Sequence, residues 1–92
     1  MSKARAHVLI SGRVQGVCYR LETREQAIAF GVTGWVRNRP DRSVEGVFEG
    51  DRESVEKLIA WCRKGPPMAS VREVQVKWEP CRNEFDRFNI LF

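Results

Sequence analysis

Residues 7–20 read His-Val-Leu-Ile-Ser-Gly-Arg-Val-Gln-Gly-Val-Cys-Tyr-Arg, and this stretch decides how the fold begins. His7–Ser11 is a short, nearly continuous apolar run that ends at Gly12, which is the pattern of a central strand covered on at least one face. A loop with a second glycine, Gly16, comes next. Helical spacing then relates Tyr19, Thr23, Ala27 and Phe30, and a capping glycine follows them. The stretch therefore predicts a strand, a loop and a helix in succession.

Two strand-like segments, Thr33–Arg39 and Ser43–Glu49, follow this unit and are separated by a turn-forming sequence. Asp51 is placed to cap a second helix, and Gly65 with the two prolines after it ends that helix. The apolar residues of the helix recur at i, i+3, i+4 and i+7, which gives it one apolar face. They are Val55, Leu58, Ile59 and Cys62.

Apolar and polar residues alternate over 74–79 and again over 88–92, which predicts a strand in each segment. The complete order is βαββαβ with a short C-terminal strand, the split βαβ arrangement. We therefore predict an α+β fold, a ferredoxin-like sandwich in which two helices cover one face of an antiparallel sheet. No linker-like composition interrupts the chain, so a single domain over residues 1–92 is expected.

The composition and the charge indicate which partners the protein favours and in which cellular compartment it is expected. Sixteen basic residues against twelve acidic ones give a net charge of +4, which favours an anionic partner such as nucleic acid or a phosphorylated small molecule. The N-terminal residues lack the apolar run of a signal peptide and no segment reads as membrane-spanning, so we expect a cytoplasmic protein. Cys18, Cys62 and Cys81 are odd in number and include no close pair, which predicts free thiols and no zinc site.

The loop from Gly12 to Arg20 joins a strand to a helix, so its backbone N–H groups can converge beside the positive N-terminal end of the helix. Phosphate is the natural occupant of such a site. Gly16 would let the backbone turn inward without interference from a Cβ atom, and Arg20 is placed to close over two phosphate oxygens. From these residues alone, a merely tight strand-to-helix turn is an open alternative.

The sequence of Gly12–Arg20 resembles the signature of the acylphosphatase family, in which an aromatic residue precedes the phosphate-binding arginine. A second segment of that family resembles residues 33–38, with Val44 and Gly50 after it. Within residues 65–71, this sequence also has residues similar to those that family members have at the same positions. The resemblance is contiguous in its first motif and extends over nearly the whole chain.

This resemblance implies an enzyme that hydrolyses the carboxyl–phosphate bond of an acyl phosphate to a carboxylate and inorganic phosphate. It implies that Arg20 binds the phosphoryl group and that Asn38 orients the attacking water. Backbone amides of the loop would share the phosphate, and the loop residues are Val14, Gln15, Gly16, Val17, Cys18, Tyr19 and Arg20. The implied protein is a monomer that acts on a small molecule, with no metal ion, no organic cofactor, and no nucleic-acid or membrane partner.

Two other interpretations of the site stay open at this point. Cys18 and Arg24 have the spacing of a phosphocysteine phosphatase, although the residues between them read as helical rather than as a cradle of amides. An RNA-binding module of similar fold would stack bases on aromatic residues of the sheet, with Trp35 and Phe48 as candidates. Against this second possibility, glutamates stand on the Phe48 strand where basic residues would be expected.

Arg42 departs from the family pattern, because the family has glycine at this position in the connection between the two middle strands. If the turn keeps a positive φ, an arginine there costs about 1 kcal/mol or more of stability. We expect this to affect stability rather than catalysis. Outside the two motifs, Trp61 and Trp78 are expected to pack in the core and His7 to be structural or surface-exposed.

Overall fold

The computed structural model describes residues 2–92, along which seven regular elements follow one another. In chain order they are β1 (Lys3–Arg13), α1 (Tyr19–Phe30), β2 (Thr33–Asn38), β3 (Val44–Asp51), α2 (Arg52–Lys64), β4 (Ser70–Glu79) and β5 (Phe88–Leu91). The predicted βαββαβ order with a short terminal strand is confirmed. Within residues 2–92, no helix has the length and apolar character needed to cross a membrane.

The five strands form one sheet in the order β4-β1-β3-β2-β5. The pairs β1–β3, β1–β4 and β2–β3 are antiparallel, whereas β2 and β5 run parallel. The predicted antiparallel sheet is confirmed for β1 to β4, and the short C-terminal strand, whose direction was not predicted, makes the complete sheet mixed. The reason is that the chain leaves β4 at one edge, crosses to the other edge, and enters β5 beside the start of β2.

Strand β1 begins at Lys3, earlier than the predicted start at His7. Ala4 and Ala6 are buried, and Arg5 between them is only 8% exposed. Because successive side chains of a strand point to opposite faces, Arg5 lies on the face away from the core that holds Ala6. A buried arginine breaks the apolar pattern, which explains why this part of the strand was missed.

Arg5 is held on the open face of the sheet by three carboxylates, and we call this group the Arg5 cluster. Its guanidinium lies 3.2 Å from both Glu49 and Glu79 and also pairs with Glu84. Glu49 accepts further hydrogen bonds from the backbone N–H groups of Arg82 and Glu84, at 2.8 and 3.2 Å. Burial by itself would raise the pKa of Glu49, but these donors and the guanidinium hold that pKa below its usual value. The cluster thereby fastens the connection between β4 and β5 to the sheet.

The two helices pack against the same core, and their ends follow the predicted signals in part. The four predicted apolar positions of α2 are all buried. Gly31 ends α1 in a left-handed conformation with φ 72°, as expected of a C-cap glycine. Asp51 stands at the N-cap of α2 but its side chain makes no capping hydrogen bond. It lies 3.2 Å from Lys3 instead, so the predicted capping role of its side chain is wrong.

The side chains outside the motifs divide between the core and the surface. Trp61 packs against the core as predicted. Trp78 does not, because it is 37% exposed and its ring is covered by Arg52, whose guanidinium carbon is 4.0 Å from the ring centroid. β4 is an edge strand, so no strand lies beyond it to cover the Trp78 ring from that side. His7 is half-buried and pairs with Glu45 at 2.6 Å, a structural contact.

Arg42 adopts a left-handed backbone conformation, with φ 74°, in the turn between β2 and β3. Its N–H donates to the carbonyl oxygen of Arg39 at 3.1 Å, so the turn keeps a geometry that suits glycine. Arg42→Gly is expected to increase the free energy of unfolding by up to about 1 kcal/mol, which corresponds to a rise in Tm of roughly 5 °C. Thermal unfolding followed by circular dichroism measures the change.

The matched control is Arg42→Ala, which removes the same charge and keeps a Cβ atom on the strained backbone. This variant should not gain the stability that glycine gives. An unchanged or lower Tm for Arg42→Gly would show that the positive φ carries no strain.

Candidate active site

The loop between β1 and α1 turns through two residues in the left-handed region, Gly16 with φ 76° and Cys18 with φ 63°. A Cβ atom on Gly16 would meet no protein atom beyond its chain neighbours within 4 Å, so the positive φ is the reason for glycine that the structure shows. Clearance of a Cβ atom toward a bound phosphate stays a prediction. Cys18 holds its positive φ without being glycine, at a cost of about 1 kcal/mol. Backbone turns of this kind gather N–H groups into concave anion sites, and such strain is often retained at functional sites.

The side chain of Gln15 fastens this loop to the turn between β2 and β3. Its amide nitrogen donates to the carbonyl oxygens of Arg39 and Ser43, at 2.9 and 3.0 Å. These two bonds occupy the side-chain nitrogen of Gln15. The backbone N–H of Gln15 is therefore the group of this residue that can still donate to an anion in the loop. The anchor also holds the loop beside the end of β2, where Asn38 lies.

Tyr19, the aromatic residue of the motif, is buried at the start of α1. Its hydroxyl donates to the carbonyl oxygen of Cys62 at 2.6 Å, and its ring centroid is 5.7 Å from that of Trp61. Burial raises the pKa of Tyr19, so the phenol stays neutral. Tyr19 therefore anchors the first turn of α1 to α2 and fixes the position of Arg20, the next residue.

A cavity of about 260 Å³ opens where the loop, the start of α1, and the ends of β2 and β5 meet. It is lined by Val14, Gly16, Cys18, Tyr19, Arg20, Leu21, Asn38, Ile90 and Phe92. The structure thus brings together Arg20 and Asn38, which lie in separate motifs of the sequence. The two remaining loop residues, Gln15 and Val17, are outside the lining.

Arg20 is half-buried at the wall of this cavity and has no carboxylate within 4.0 Å among residues 2–92. Its Nη1 donates to the carbonyl oxygen of Leu91 at 3.3 Å, and its guanidinium carbon is 5.3 Å from the centroid of the Phe92 ring. Neutral groups therefore orient this cation without neutralising it. An anion in the cavity would meet its full charge.

Asn38 is the last residue of β2 and pairs with Val44 of β3. Its Oδ1 is buried and finds no hydrogen-bond donor among the residues that the structure describes. A buried acceptor without a partner costs about 1–3 kcal/mol, so it is normally satisfied by a ligand or a water molecule. The Arg20 cation and the side chain of Asn38 line the same cavity.

No histidine, aspartate or glutamate is among the residues that line the cavity, within the described part of the chain. Cys18 is exposed at its rim, and all three cysteines are free thiols, as predicted. Arg24, the partner of Cys18 in the phosphocysteine alternative, lies outside the cavity on α1. Because residues 19–24 are helical, they do not form the cradle of amides that this chemistry requires.

The RNA-binding alternative needs two aromatic side chains on an accessible face of the sheet. Phe48 is completely buried in the core, beside Phe88. Trp35 is half-buried and is covered by Arg37, whose guanidinium carbon is 5.5 Å from the ring centroid. The stacking platform that this alternative predicts is therefore missing from the sheet described by residues 2–92.

Three apolar side chains at the cavity, Leu21, Ile90 and Phe92, were not predicted as site residues. The alternation over 88–92 predicted the last strand, but nothing in it indicates which neighbour that strand pairs with. The parallel pairing of β5 with β2, which sets Ile90 opposite Val36, carries the chain end toward Asn38.

These features define the class of protein as a ferredoxin-like α+β domain with a cavity beside the loop that precedes its first helix. The sequence profile of the family described as Acylphosphatase matches residues 6–90. The chain therefore belongs to the acylphosphatase family.

Individual relatives are similar over almost their whole length. An acylphosphatase of Pelotomaculum thermopropionicum is 64% identical over 92 residues, which cover 100% of this chain and 100% of the relative. The crystal structure of an acylphosphatase from Bacillus subtilis has a TM-score of 0.93 at 28% identity, covering 97% of this chain and 99% of that one. A structure of an acylphosphatase from Coxiella burnetii has a TM-score of 0.92 at 35% identity, covering 97% and 93%. The comparisons do not support the RNA-binding alternative.

Proposed function

We propose that this chain hydrolyses acyl phosphates to a carboxylate and inorganic phosphate. Membership of the acylphosphatase family supports the enzyme class. One observation carries the proposal at the level of residues: Arg20, which has no carboxylate partner among residues 2–92, and the side chain of Asn38 line the same cavity. The first offers positive charge to a phosphoryl group, and the second offers an acceptor to a water molecule.

Arg20 binds the phosphoryl group in this proposal, because its planar guanidinium can contact two phosphate oxygens at once. Backbone amides of residues 14–20 add donors beside the positive end of α1. The side chains of Gln15 and Tyr19 are engaged elsewhere, so their contribution comes from the backbone. Together these groups stabilise the charge on the phosphoryl oxygens as the reaction proceeds.

Asn38 orients the attacking water, which donates a hydrogen bond to Oδ1 of Asn38. The water oxygen forms a bond to phosphorus while the bond from phosphorus to the carboxyl oxygen breaks and leaves its electron pair on the carboxylate. One water proton passes to a phosphoryl oxygen, so the products are a carboxylate and dihydrogen phosphate. A substrate oxygen takes this role because, within residues 2–92, no histidine, aspartate or glutamate side chain lines the cavity. An aspartate in place of Asn38 would repel the phosphoryl oxygens.

The leaving group explains why so few residues suffice. A carboxylate is the base of an acid with a pKa of about 4, so it departs without a general acid. Positioning of the water and stabilisation of charge can then supply most of the catalysis. We accordingly propose a reaction without a metal ion or organic cofactor, carried out by a monomer in which residues 1–92 form one domain. The three free thiols support a reducing compartment such as the cytoplasm.

The test is hydrolysis of benzoyl phosphate in the presence of EDTA by the wild type and by Asn38→Ala. The wild type should keep its full rate in EDTA, and Asn38→Ala should lower kcat by about 100-fold. Inhibition by inorganic phosphate should stay within about threefold of wild type, because Arg20 still binds it. Asn89→Ala, which removes an exposed amide on the neighbouring strand, is the control and should be fully active.

Each part of the proposal can fail separately in this experiment. Loss of wild-type activity in EDTA would contradict the metal-free reaction. An active Asn38→Ala protein would contradict the role of Asn38 in orienting water. A folded wild type that hydrolyses no acyl phosphate would contradict the function itself.

A further inference from the structure

The part of the cavity that the proposed reaction does not use is apolar. Leu21, Ile90 and Phe92 line it together with Arg20 and Asn38. Leu21 is 50% exposed and Phe92 is fully exposed, although a large apolar side chain normally gains stability from burial. Exposed apolar groups gathered at a cavity commonly mark a binding surface.

The position of these side chains relative to Arg20 indicates what they would contact. Leu21 directly follows Arg20 in the first turn of α1. On the other side, the Phe92 ring centroid is 5.3 Å from the Arg20 guanidinium. A phosphoryl group bound by Arg20 in this cavity would therefore lie near apolar side chains. The acyl group is attached directly to that phosphoryl group through one oxygen, so it must lie near these side chains.

We propose that Leu21, Ile90 and Phe92 form an acyl-binding wall that selects acyl phosphates with extended apolar acyl groups over acetyl phosphate. This inference rests on the proposed function and adds the substrate class to it. Within residues 2–92, Arg20 is the one charged side chain of the lining, and it is occupied by the phosphoryl group. A charged or strongly polar acyl group would lose water at the wall without gaining a partner.

The expected selectivity follows from the apolar area that the wall can cover. Each methylene group that becomes fully buried raises a binding or specificity constant by about fourfold. Each methylene group that a half-open wall covers raises it by about twofold. From acetyl to hexanoyl phosphate, kcat/KM is thus expected to increase by at least about tenfold. The linear acids in this series differ little in acidity, so their phosphates have similar intrinsic reactivity.

The experiment measures kcat/KM for acetyl, butyryl and hexanoyl phosphate with three folded variants beside the wild type. Leu21→Ala should lower the hexanoyl-to-acetyl ratio by about threefold or more, and Leu21→Ala with Phe92→Ala should bring it close to one. Ile28→Ala is the matched control. Ile28 is an apolar residue on the same helix with a similar exposure of 56%, but it lies outside the cavity. This control should keep the wild-type ratio.

The outcomes separate the two proposals. If the folded wild type hydrolyses none of the three substrates, the proposed function fails and the acyl-binding wall fails with it. If it hydrolyses all three with equal kcat/KM, or if the double variant keeps the wild-type ratio, only the wall is overturned. An equal loss of the ratio in Ile28→Ala would also overturn it, since general surface hydrophobicity would then explain the preference.

Discussion

Arg20→Ala is expected to lower kcat/KM for an acyl phosphate by about 1000-fold or more while the protein stays folded. Among the residues that the structure describes, 2–92, Arg20 is the one charged side chain that lines the cavity, so no other lining side chain there can replace its charge on the phosphoryl group. Its hydrogen bond to the carbonyl oxygen of Leu91 is exposed. The free energy of unfolding should therefore change by less than about 1 kcal/mol.

Arg24→Ala is the matched control, because it removes the same charge from the same helix at a position outside the cavity. Its kcat/KM should stay within about threefold of wild type, as expected for a change in long-range attraction alone. Arg20→Lys should recover only part of the loss, since lysine keeps the charge but not the planar pair of donors. Similar losses in Arg20→Ala and Arg24→Ala would mean that Arg20 contributes general positive charge and no specific contact.

Glu49→Gln is expected to produce the largest loss of stability, about 3 kcal/mol in the free energy of unfolding. Glu49 is 2% exposed and accepts from the Arg5 guanidinium and from the backbone N–H groups of Arg82 and Glu84. Glutamine keeps the shape of the side chain but removes the charge that stabilises these buried donors. Urea unfolding at neutral pH measures the difference.

The same contacts give the stability a predictable dependence on pH. Because the pKa of Glu49 is held below its usual value, its contribution is complete above the pKa of an unfolded glutamate, about 4.3. It is lost as the pH falls through the lower pKa of the folded protein. Wild-type stability should thus decline in acid, and that of Glu49→Gln should decline less steeply.

Glu53→Gln serves as the control for this variant. Glu53 is exposed on α2 and lies 3.9 Å from Lys57, so its loss should change the free energy of unfolding by less than about 0.5 kcal/mol. If Glu49→Gln and Glu53→Gln are equally stable, the Arg5 cluster does not hold the connection between β4 and β5 in place.

The elements that local patterns control were predictable from the sequence. The helical spacing of the apolar residues in α2 and the glycine that ends α1 act over a few residues, and both predictions are confirmed. The left-handed turn at Arg42 was indicated by the family resemblance, because the family has glycine at this position. In each case the physical cause lies within one turn or one helix, so no knowledge of distant partners was needed.

Features that depend on distant partners were not predictable in the same way. The direction of β5 depends on where the chain crosses from β4, and the burial of Arg5 depends on carboxylates from three other parts of the chain. For the site, only the resemblance linked Arg20 with Asn38, because no local pattern shows that α1 begins beside the end of β2. The roles of these two residues stay predictions. The apolar side of the cavity was missed because Phe92 reaches it through the pairing of β5 with β2.

The parallel direction of β5 also decides which end of the chain can be altered safely. Phe92 lies at the cavity, whereas Lys3 pairs with Asp51 at the opposite end of the sheet. An affinity tag or a fused fluorescent protein at the carboxyl end would begin beside Arg20 and crowd the cavity. The amino end is therefore the better point for attachment to a tag, a carrier protein or a solid support.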